Sequence, residues 1–234
     1  MATAAVSDRR IVTQTLLSAK EDGGQECPPY ACRRSETAAT VTEHERNAND
    51  MKTPRRRHTT AELVASRPDR AAMDATRMPV TVVLDNVRSL QNVGLIFRVC
   101  DCANIERLIL TGITGTPTQT IHAAQQIGKT AVGGSLQTVP WEKHDDPLPR
   151  IDELRRAGSQ LVVFEQCDGS IPYREVPYRF PLVAVFGHER DGVRDALLEQ
   201  ADHIAVLPVR GITNSLNVAM TASIVLYELL ARWK

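Results

Sequence analysis

The sequence has few aromatic residues, no excess of either charge and no long apolar run. Phe, Trp and Tyr make up 4% of its 234 residues, and 28 basic side chains are balanced by 28 acidic ones. A protein that binds nucleic acid over much of its surface usually carries a clear positive charge, so any such contact here must come from a local patch. No apolar run approaches the roughly 20 residues that span a bilayer, so we expect no membrane segment.

Cysteine is also scarce, and its spacing is typical of neither a metal site nor a disulfide framework. The five cysteines are an odd number, which favours a reducing compartment. The close pairs Cys27/Cys32 and Cys100/Cys102 have no second pair of Cys or His at a ligand-like distance, so we expect no bound metal. The amino terminus lacks the basic start and apolar stretch of a secretory signal. These absences together predict a cytoplasmic protein.

The first 78 residues differ in character from the rest. They contain a single aromatic residue, Tyr30, and show little hydrophobic periodicity, which is typical of poorly structured segments. We therefore predict an N-terminal extension over residues 1–78, with a short helix near 60–67. A basic cluster at 52–57 is interpreted as a solvated linker or as an arm that binds nucleic acid. Met51 is a second candidate for the start of the protein.

From residue 79 onward, short apolar runs alternate with segments of helical periodicity. The apolar runs predict strands at 80–84, 108–110, 135–139, 160–165, 182–186 and 203–207. The periodic segments predict helices at 93–103, 120–127, 147–157, 193–200 and 215–233. This alternation is typical of an α/β protein with a mainly parallel sheet flanked by helices. We predict one such domain over residues 79–234.

Three loops, each following a predicted strand, carry unusual polar content. They are residues 85–94, followed one helical turn later by Arg98, and then 187–192 and 208–217. Ligands of parallel sheets bind at the carboxyl ends of the strands, where such loops lie. Glycines within the second and third loops would let the backbone come close to a ligand. The three loops together therefore indicate a binding site.

Each loop also has a purely structural interpretation when it is considered alone. Asn92 can cap one helix, and Asn214 or Ser215 can cap another. Glu189 can stabilise a turn, and Arg98 can be an ordinary surface cation. Two familiar nucleotide motifs are absent, because the G-x-x-x-x-G-K pattern fails at Ala123 and no G-x-G-x-x-G follows the first strand. Their absence disfavours a nucleotide-dependent oxidoreductase.

The three loops resemble the sequence motifs of the SpoU-type RNA methyltransferases of the SPOUT superfamily. The first motif is matched by 92–98, the second by 187–192 and the third by 207–218. Their order and spacing agree with the family, and the similarity covers residues 79–232. The resemblance implies an α/β domain whose C-terminal part forms a deep trefoil knot, a rare exception to unknotted chains.

The resemblance also implies a cofactor and an oligomeric state. The cofactor is S-adenosylmethionine, held largely by backbone groups, with Gly187, Leu207 and Leu216 lining its site. Family members are homodimers, and the long C-terminal helix could supply part of the interface. Its apolar residues can equally pack on the sheet of their own chain: Val218, Ala219, Ala222, Val225, Leu226 and Leu229.

Roles for five polar residues follow from the same resemblance. Methyl transfer to a ribose hydroxyl requires alignment of the reacting atoms and removal of the hydroxyl proton. Arg98 is implied as the proton acceptor or, alternatively, as a charge that holds the phosphate and ribose of the target. Asn92 would position Arg98 or the RNA, and Glu189 would fix the geometry of its loop. Ser215 and Asn217 would organise the pocket.

The resemblance therefore predicts an S-adenosylmethionine-dependent enzyme that methylates a ribose 2′-hydroxyl of structured RNA, either tRNA or rRNA. Methylation of a base is an alternative within the superfamily, and the Ser-Leu-Asn of the third motif argues against it. An RNA-binding or assembly factor without turnover is another alternative. The joint presence of Asn92, Arg98, Glu189 and Asn217 argues against such a factor.

Overall fold

A computed structural model of the chain describes residues 56–233, and the compact unit that contains the predicted domain begins at Thr59. The interpretations of Met51 and of most of the basic cluster lie outside the described residues. One sheet of seven strands forms the centre of the unit, and every pair of neighbouring strands is parallel. The strands are β1 (Met78–Asp85), β2 (Ile105–Thr111), β3 (Trp141–His144), β4 (Gln160–Phe164), β5 (Ile171–Pro172), β6 (Leu182–Phe186) and β7 (His203–Val206).

Helices connect most of these strands, which confirms the predicted α/β class. In the described part of the chain they are α1 (Thr60–Ala65), α2 (Arg70–Ala75), α3 (Leu90–Cys102), α4 (Ile121–Thr130), α5 (Ser135–Thr138), α6 (Leu148–Arg156), α7 (Asp195–Gln200) and α8 (Val218–Arg232). Helix α2 is joined to the following domain by a hydrogen bond of 3.0 Å from Arg70 Nη1 to the carbonyl of Gln137.

The strand order is β3-β2-β1-β6-β4-β7-β5. Strands β2 and β3 follow on one side of β1, with β3 at the edge of the sheet. Strands β6, β4, β7 and β5 lie on the other side of β1. The carboxyl ends of β6, β4 and β7 are therefore adjacent, and the end of β1 lies beside that of β6. This is the edge of the sheet at which parallel α/β proteins bind ligands.

Both faces of the sheet are covered, which explains why its central strands are nearly continuous apolar runs. All five residues of β4 and all five of β6 are buried. Alternate residues of these strands belong to two separate apolar clusters. One face contributes Val82, Val162 and Ala184, and the other contributes Val83, Val163 and Val185.

The C-terminal helix packs mainly on the sheet of its own chain. Five of the six apolar residues considered for a dimer interface are buried in that core, namely Ala219, Ala222, Val225, Leu226 and Leu229. A different stripe of α8 faces solvent, where Met220, Ile224 and Tyr227 remain 61%, 40% and 53% exposed. The large apolar side chains that α8 exposes to solvent therefore lie on this outer stripe.

The prediction of a strand at 135–139 is wrong. Gly134 has a left-handed conformation with φ of 96°, and its carbonyl accepts hydrogen bonds from the amides of Gln137 and Thr138. The segment therefore hydrogen-bonds locally as α5, and the edge strand β3 follows it at Trp141–His144. A positive φ of this kind is readily available only to glycine.

Helices α3 and α4 pack closely because of one glycine, which gives a stability test. A Cβ on Gly94 would lie 2.1 Å from Thr130 Oγ1 and 2.3 Å from the carbonyl of Ile127. We expect Gly94→Ala to destabilise the protein by about 1–3 kcal/mol, because the added methyl overpacks this contact. Urea unfolding measures the effect.

The matched control is Gly128→Ala on α4, where an added Cβ would meet no atom within 4 Å. Because Gly128 is half-buried and has room for a methyl group, its replacement by alanine is expected to stabilise the helix by up to about 1 kcal/mol. Equal unfolding midpoints for the two variants would contradict the close packing of α3 on α4.

Candidate active site

A cavity of about 410 Å³ opens at the carboxyl ends of β4, β6 and β7. Its lining includes Phe164 and Phe186, whose rings stack with centroids 5.1 Å apart. The volume is typical of sites that bind small molecules. The structure brings six of the eight predicted site residues to this cavity: Gly187, Glu189, Leu207, Ser215, Leu216 and Asn217.

Glu189 joins the second loop to the first. Its carboxylate accepts hydrogen bonds of 3.0 Å from the backbone amides of Arg88 and Ser89, and one of 2.9 Å from Asn92 Nδ2. Partial burial acts to raise the pKa of Glu189, but these donors outweigh it and hold that pKa below its ordinary value. The side chain therefore serves as a charged acceptor at neutral pH.

Asn92 and Asn217 extend this connection to the third loop. The Nδ2 of Asn217 donates to Oδ1 of Asn92 over 3.1 Å, and Oδ1 of Asn217 accepts from the amide of Ala219 over 2.9 Å. A carboxylate can only accept and a helix-terminal amide can only donate, so the two ends fix the orientation of both Asn amides. One directional chain of hydrogen bonds thus links all three loops.

The capping roles considered for the loop residues are distributed differently in the structure. Helix α3 is capped by Ser89, whose Oγ accepts from the amide of Asn92, so Asn92 is not the cap. Helix α8 is capped by Asn217 and begins at Val218, three residues later than predicted. Ser215 is exposed at the cavity, and no hydrogen bond of its side chain is found within residues 56–233.

The glycines of the second loop allow the loop to close on itself. A Cβ on Gly187 would lie 2.4 Å from the carbonyl carbon of Gly192, and Gly192 has a φ of 72°. The amides and carbonyls of His188 and Gly192 form two reciprocal hydrogen bonds of 3.0 Å. The tight turn positions Glu189 toward the first loop, so both glycines are required by the backbone itself.

A buried ion pair that the sequence did not predict joins β1 to the end of the second loop. Asp85 has no exposed surface and accepts hydrogen bonds from the backbone amide, Nε and Nη2 of Arg194 at 3.1, 2.9 and 2.6 Å. An Asp at the end of an apolar strand predicts a pairing with a cationic side chain, because buried charges are rarely unpaired. The partner is distant in sequence, so periodicity could not identify it.

Arg98 lies outside the cavity. It is exposed on α3, and no hydrogen bond or ion pair of its side chain is found within residues 56–233. Asn92 lies on the same helix but bonds to Glu189 and Asn217, so the structure shows no direct contact by which Asn92 positions Arg98. The guanidinium is available to a bound substrate.

Within residues 56–233, no helix is long and apolar enough to cross a membrane. No group of three or more His, Cys, Asp or Glu side chains in the same residues could hold a metal ion.

This chain belongs to the SpoU rRNA Methylase family, whose model matches residues 79–227. A relative in Aquifex aeolicus, a tRNA (guanosine(18)-2′-O)-methyltransferase, is 31% identical over 68% of this chain and 72% of its own length. The enzyme of the same name in Thermus thermophilus is 30% identical over 64% of this chain and 73% of its own length.

Solved structures of the family have the same fold. The A. aeolicus TrmH/SpoU tRNA-modifying enzyme superposes with a TM-score of 0.61 and 30% identity, covering 70% of this chain and 79% of that chain. The AdoMet-bound rRNA methyltransferase of Sinorhizobium meliloti has a TM-score of 0.59 and 29% identity, covering 69% of this chain and 60% of that one. This chain thus spans less than two thirds of the second enzyme.

The lowered pKa of Glu189 makes the stability of the site depend on pH. We expect Glu189→Gln to unfold more easily than wild type at pH 7, by up to about 1 kcal/mol, because an amide cannot accept from all three donors and solvent around this exposed carboxylate weakens the effect. A carboxyl group whose pKa is lowered by folding stabilises the protein when the pH is above the ordinary pKa of 4.5. This stabilisation is lost as the pH falls from 4.5 through the lowered pKa of the folded protein.

The difference in urea midpoint between wild type and Glu189→Gln should therefore narrow as the pH falls below about 4.5. A difference that stays constant from pH 7 to the acid limit of folding would show that the Glu189 carboxylate is not the stabilising species.

Proposed function

We infer that this chain transfers a methyl group from S-adenosylmethionine to a ribose 2′-hydroxyl of RNA. Membership of the SpoU family supports this activity, as do relatives named as 2′-O-methyltransferases and an AdoMet-bound structure among its neighbours. The observation that carries the inference is the hydrogen-bonded chain from Glu189 through Asn92 to Asn217, which unites the three motifs beside one cavity.

The residues at the cavity fit this cofactor. Leu207, Leu216 and the stacked phenylalanines offer apolar surface, and the backbone of Gly187 lines the cavity beside them. These residues would hold the nucleoside and methionine parts of the molecule. When bound, S-adenosylmethionine supplies an electrophilic methyl group on a sulfonium. The protein must then align the ribose hydroxyl and lower the barrier to loss of its proton.

Glu189 and Arg98 have different roles in this reaction. Glu189 is ionised but accepts three hydrogen bonds from the first loop, so it holds the site together and is unsuited to carry a proton. Arg98 makes no such bonds and is exposed. A guanidinium normally stays protonated and binds phosphate and ribose oxygens well, which favours the role of a clamp over that of a base.

We propose that the protein is a homodimer. The outer stripe of α8, made of Met220, Ile224 and Tyr227, is apolar and exposed, and Leu95 on α3 is 40% exposed. Helix α3 packs against α8 and also carries Arg98. A second copy on this face would cover the stripe and bring Arg98 close to the interface.

We further propose a structured RNA, tRNA or rRNA, as the substrate, and the cytoplasm as its location. The relatives named as tRNA (guanosine(18)-2′-O)-methyltransferases make a tRNA guanosine the first target to test. The family also supports a trefoil knot in the C-terminal part of the domain, and residues 1–78 are proposed as an extension that precedes it.

The activity is tested by incubating the full-length protein with S-adenosylmethionine and either tRNA or rRNA, followed by mass spectrometry of the nucleosides. The expected product is a 2′-O-methylated nucleoside in one of the two RNAs. A methylated base in its place would contradict the proposed ribose chemistry, and absence of any product would favour an assembly factor.

Arg98→Ala should abolish turnover while S-adenosylmethionine still binds, because Arg98 does not line the cavity. We expect a rate loss of about 100-fold or more, as is usual when a charge that acts in the transition state is removed. The control is Arg156→Ala on α6, an exposed arginine outside the three motifs. Unchanged turnover in Arg98→Ala would remove this residue from the mechanism.

Ile224→Asp should convert the dimer to monomers, because a charge in the centre of an apolar interface is left without solvent. Analytical ultracentrifugation measures the molecular mass. The control is Ile121→Asp on α4, which alters another exposed apolar residue (82% exposed) outside the proposed face. A wild-type protein that sediments as a monomer would contradict the proposed dimer.

A further inference from the structure

A second carboxylate, Glu165, lies at the cavity and belongs to none of the three motifs. It follows the last residue of β4, is partly buried, and lines the cavity beside Gly187 and Gly192. Its Oε2 accepts a hydrogen bond of 3.0 Å from the amide of Val193, and its Oε1 accepts one of 2.8 Å from the amide of Gln166.

Glu165 can accept more additional hydrogen bonds than Glu189 can. An ionised carboxylate offers about four lone-pair positions. Glu189 accepts from two backbone amides and one side chain, whereas Glu165 accepts from backbone amides alone. No cationic side chain pairs with Glu165 within residues 56–233. Glu165 is therefore a negative charge at the cavity that can accept further hydrogen bonds from a ligand.

The loop around Glu165 fixes the position of its carboxylate before any ligand binds. A Cβ on Gly192 would lie 2.5 Å from Oε2 of Glu165, and the left-handed conformation of Gly192 brings the loop into this contact. The bond from Val193 then holds the same oxygen. A group fixed in this way needs little reordering on binding, which favours affinity.

S-adenosylmethionine presents hydrogen-bond donors that suit such a carboxylate. Its ribose has two hydroxyls, and its methionine part carries an ammonium group. Acidic side chains at strand ends bind ribose hydroxyls in other nucleotide-binding sheets. Hydrogen bonds to a charged acceptor are also stronger than those between neutral groups.

We propose that Glu165 binds hydrogen-bond donors of S-adenosylmethionine and so helps to hold the methyl donor in the cavity. The inference rests on the proposed function, because it concerns the same cavity and cofactor. It adds a carboxylate, at the end of β4, to a site otherwise attributed to backbone groups of the second and third loops.

Calorimetric titration of the full-length protein tests the proposal with two ligands, S-adenosylmethionine and 5′-methylthioadenosine, which lacks the ammonium and sulfonium groups. We expect Glu165→Gln to bind S-adenosylmethionine about 10- to 100-fold more weakly, as for loss of a hydrogen bond to a charged group. An equal loss with 5′-methylthioadenosine assigns Glu165 to the ribose hydroxyls. A loss confined to S-adenosylmethionine assigns it to the charged end. Either result supports the proposal.

The matched control is Asp168→Asn, which removes an exposed carboxylate from the same loop but outside the cavity, and its affinities should match wild type. If Glu165→Gln fails to fold, the same titrations on Glu165→Asp apply, since withdrawing the carboxylate by one methylene should also weaken binding about tenfold. If a folded Glu165 variant binds with wild-type affinity, the role of Glu165 is contradicted but the proposed function is not. Absence of binding by wild type itself would overturn the proposed function.

Discussion

The site depends on one directional chain of hydrogen bonds, from Glu189 through Asn92 to Asn217. The carboxylate at one end only accepts, the first amides of α8 at the other end only donate, and the two Asn side chains must align between them. Segments that are far apart in sequence are thereby held beside a single cavity. Substitution of Glu189 or Asn217 would leave the buried amide of Asn92 without one of its partners.

The hydrogen bonds of Glu189 also explain why this acidic residue is a poor candidate for the catalytic base. Three donors stabilise Glu189 as a carboxylate and lower its pKa, so its charge is used to hold the first loop. Arg98 remains free on α3, outside the cavity. We therefore propose that the methyl donor binds within the cavity and that Arg98 on α3 binds the target ribose beside it.

The central strands and the convergence of the loops could be predicted from sequence, because both follow from local patterns. Strands β4 and β6 are buried on both faces and read as continuous apolar runs, and parallel strands bring their carboxyl ends to one edge. The pairing of Asp85 with Arg194 could not be predicted, since it joins residues far apart in sequence. Helix α5 was missed because the left-handed conformation of Gly134 outweighed the strand propensity of its neighbours.

A double-mutant cycle between Glu189 and Asn217 tests the central claim most directly. Unfolding free energies would be measured for Glu189→Ala, Asn217→Ala and the double variant, first with Asn92 present and then in an Asn92→Ala background. The account predicts a coupling of about 0.5–3 kcal/mol that vanishes without Asn92, since Asn92 bonds to both side chains. Additive effects with Asn92 present would contradict it, because the loops would then be held independently.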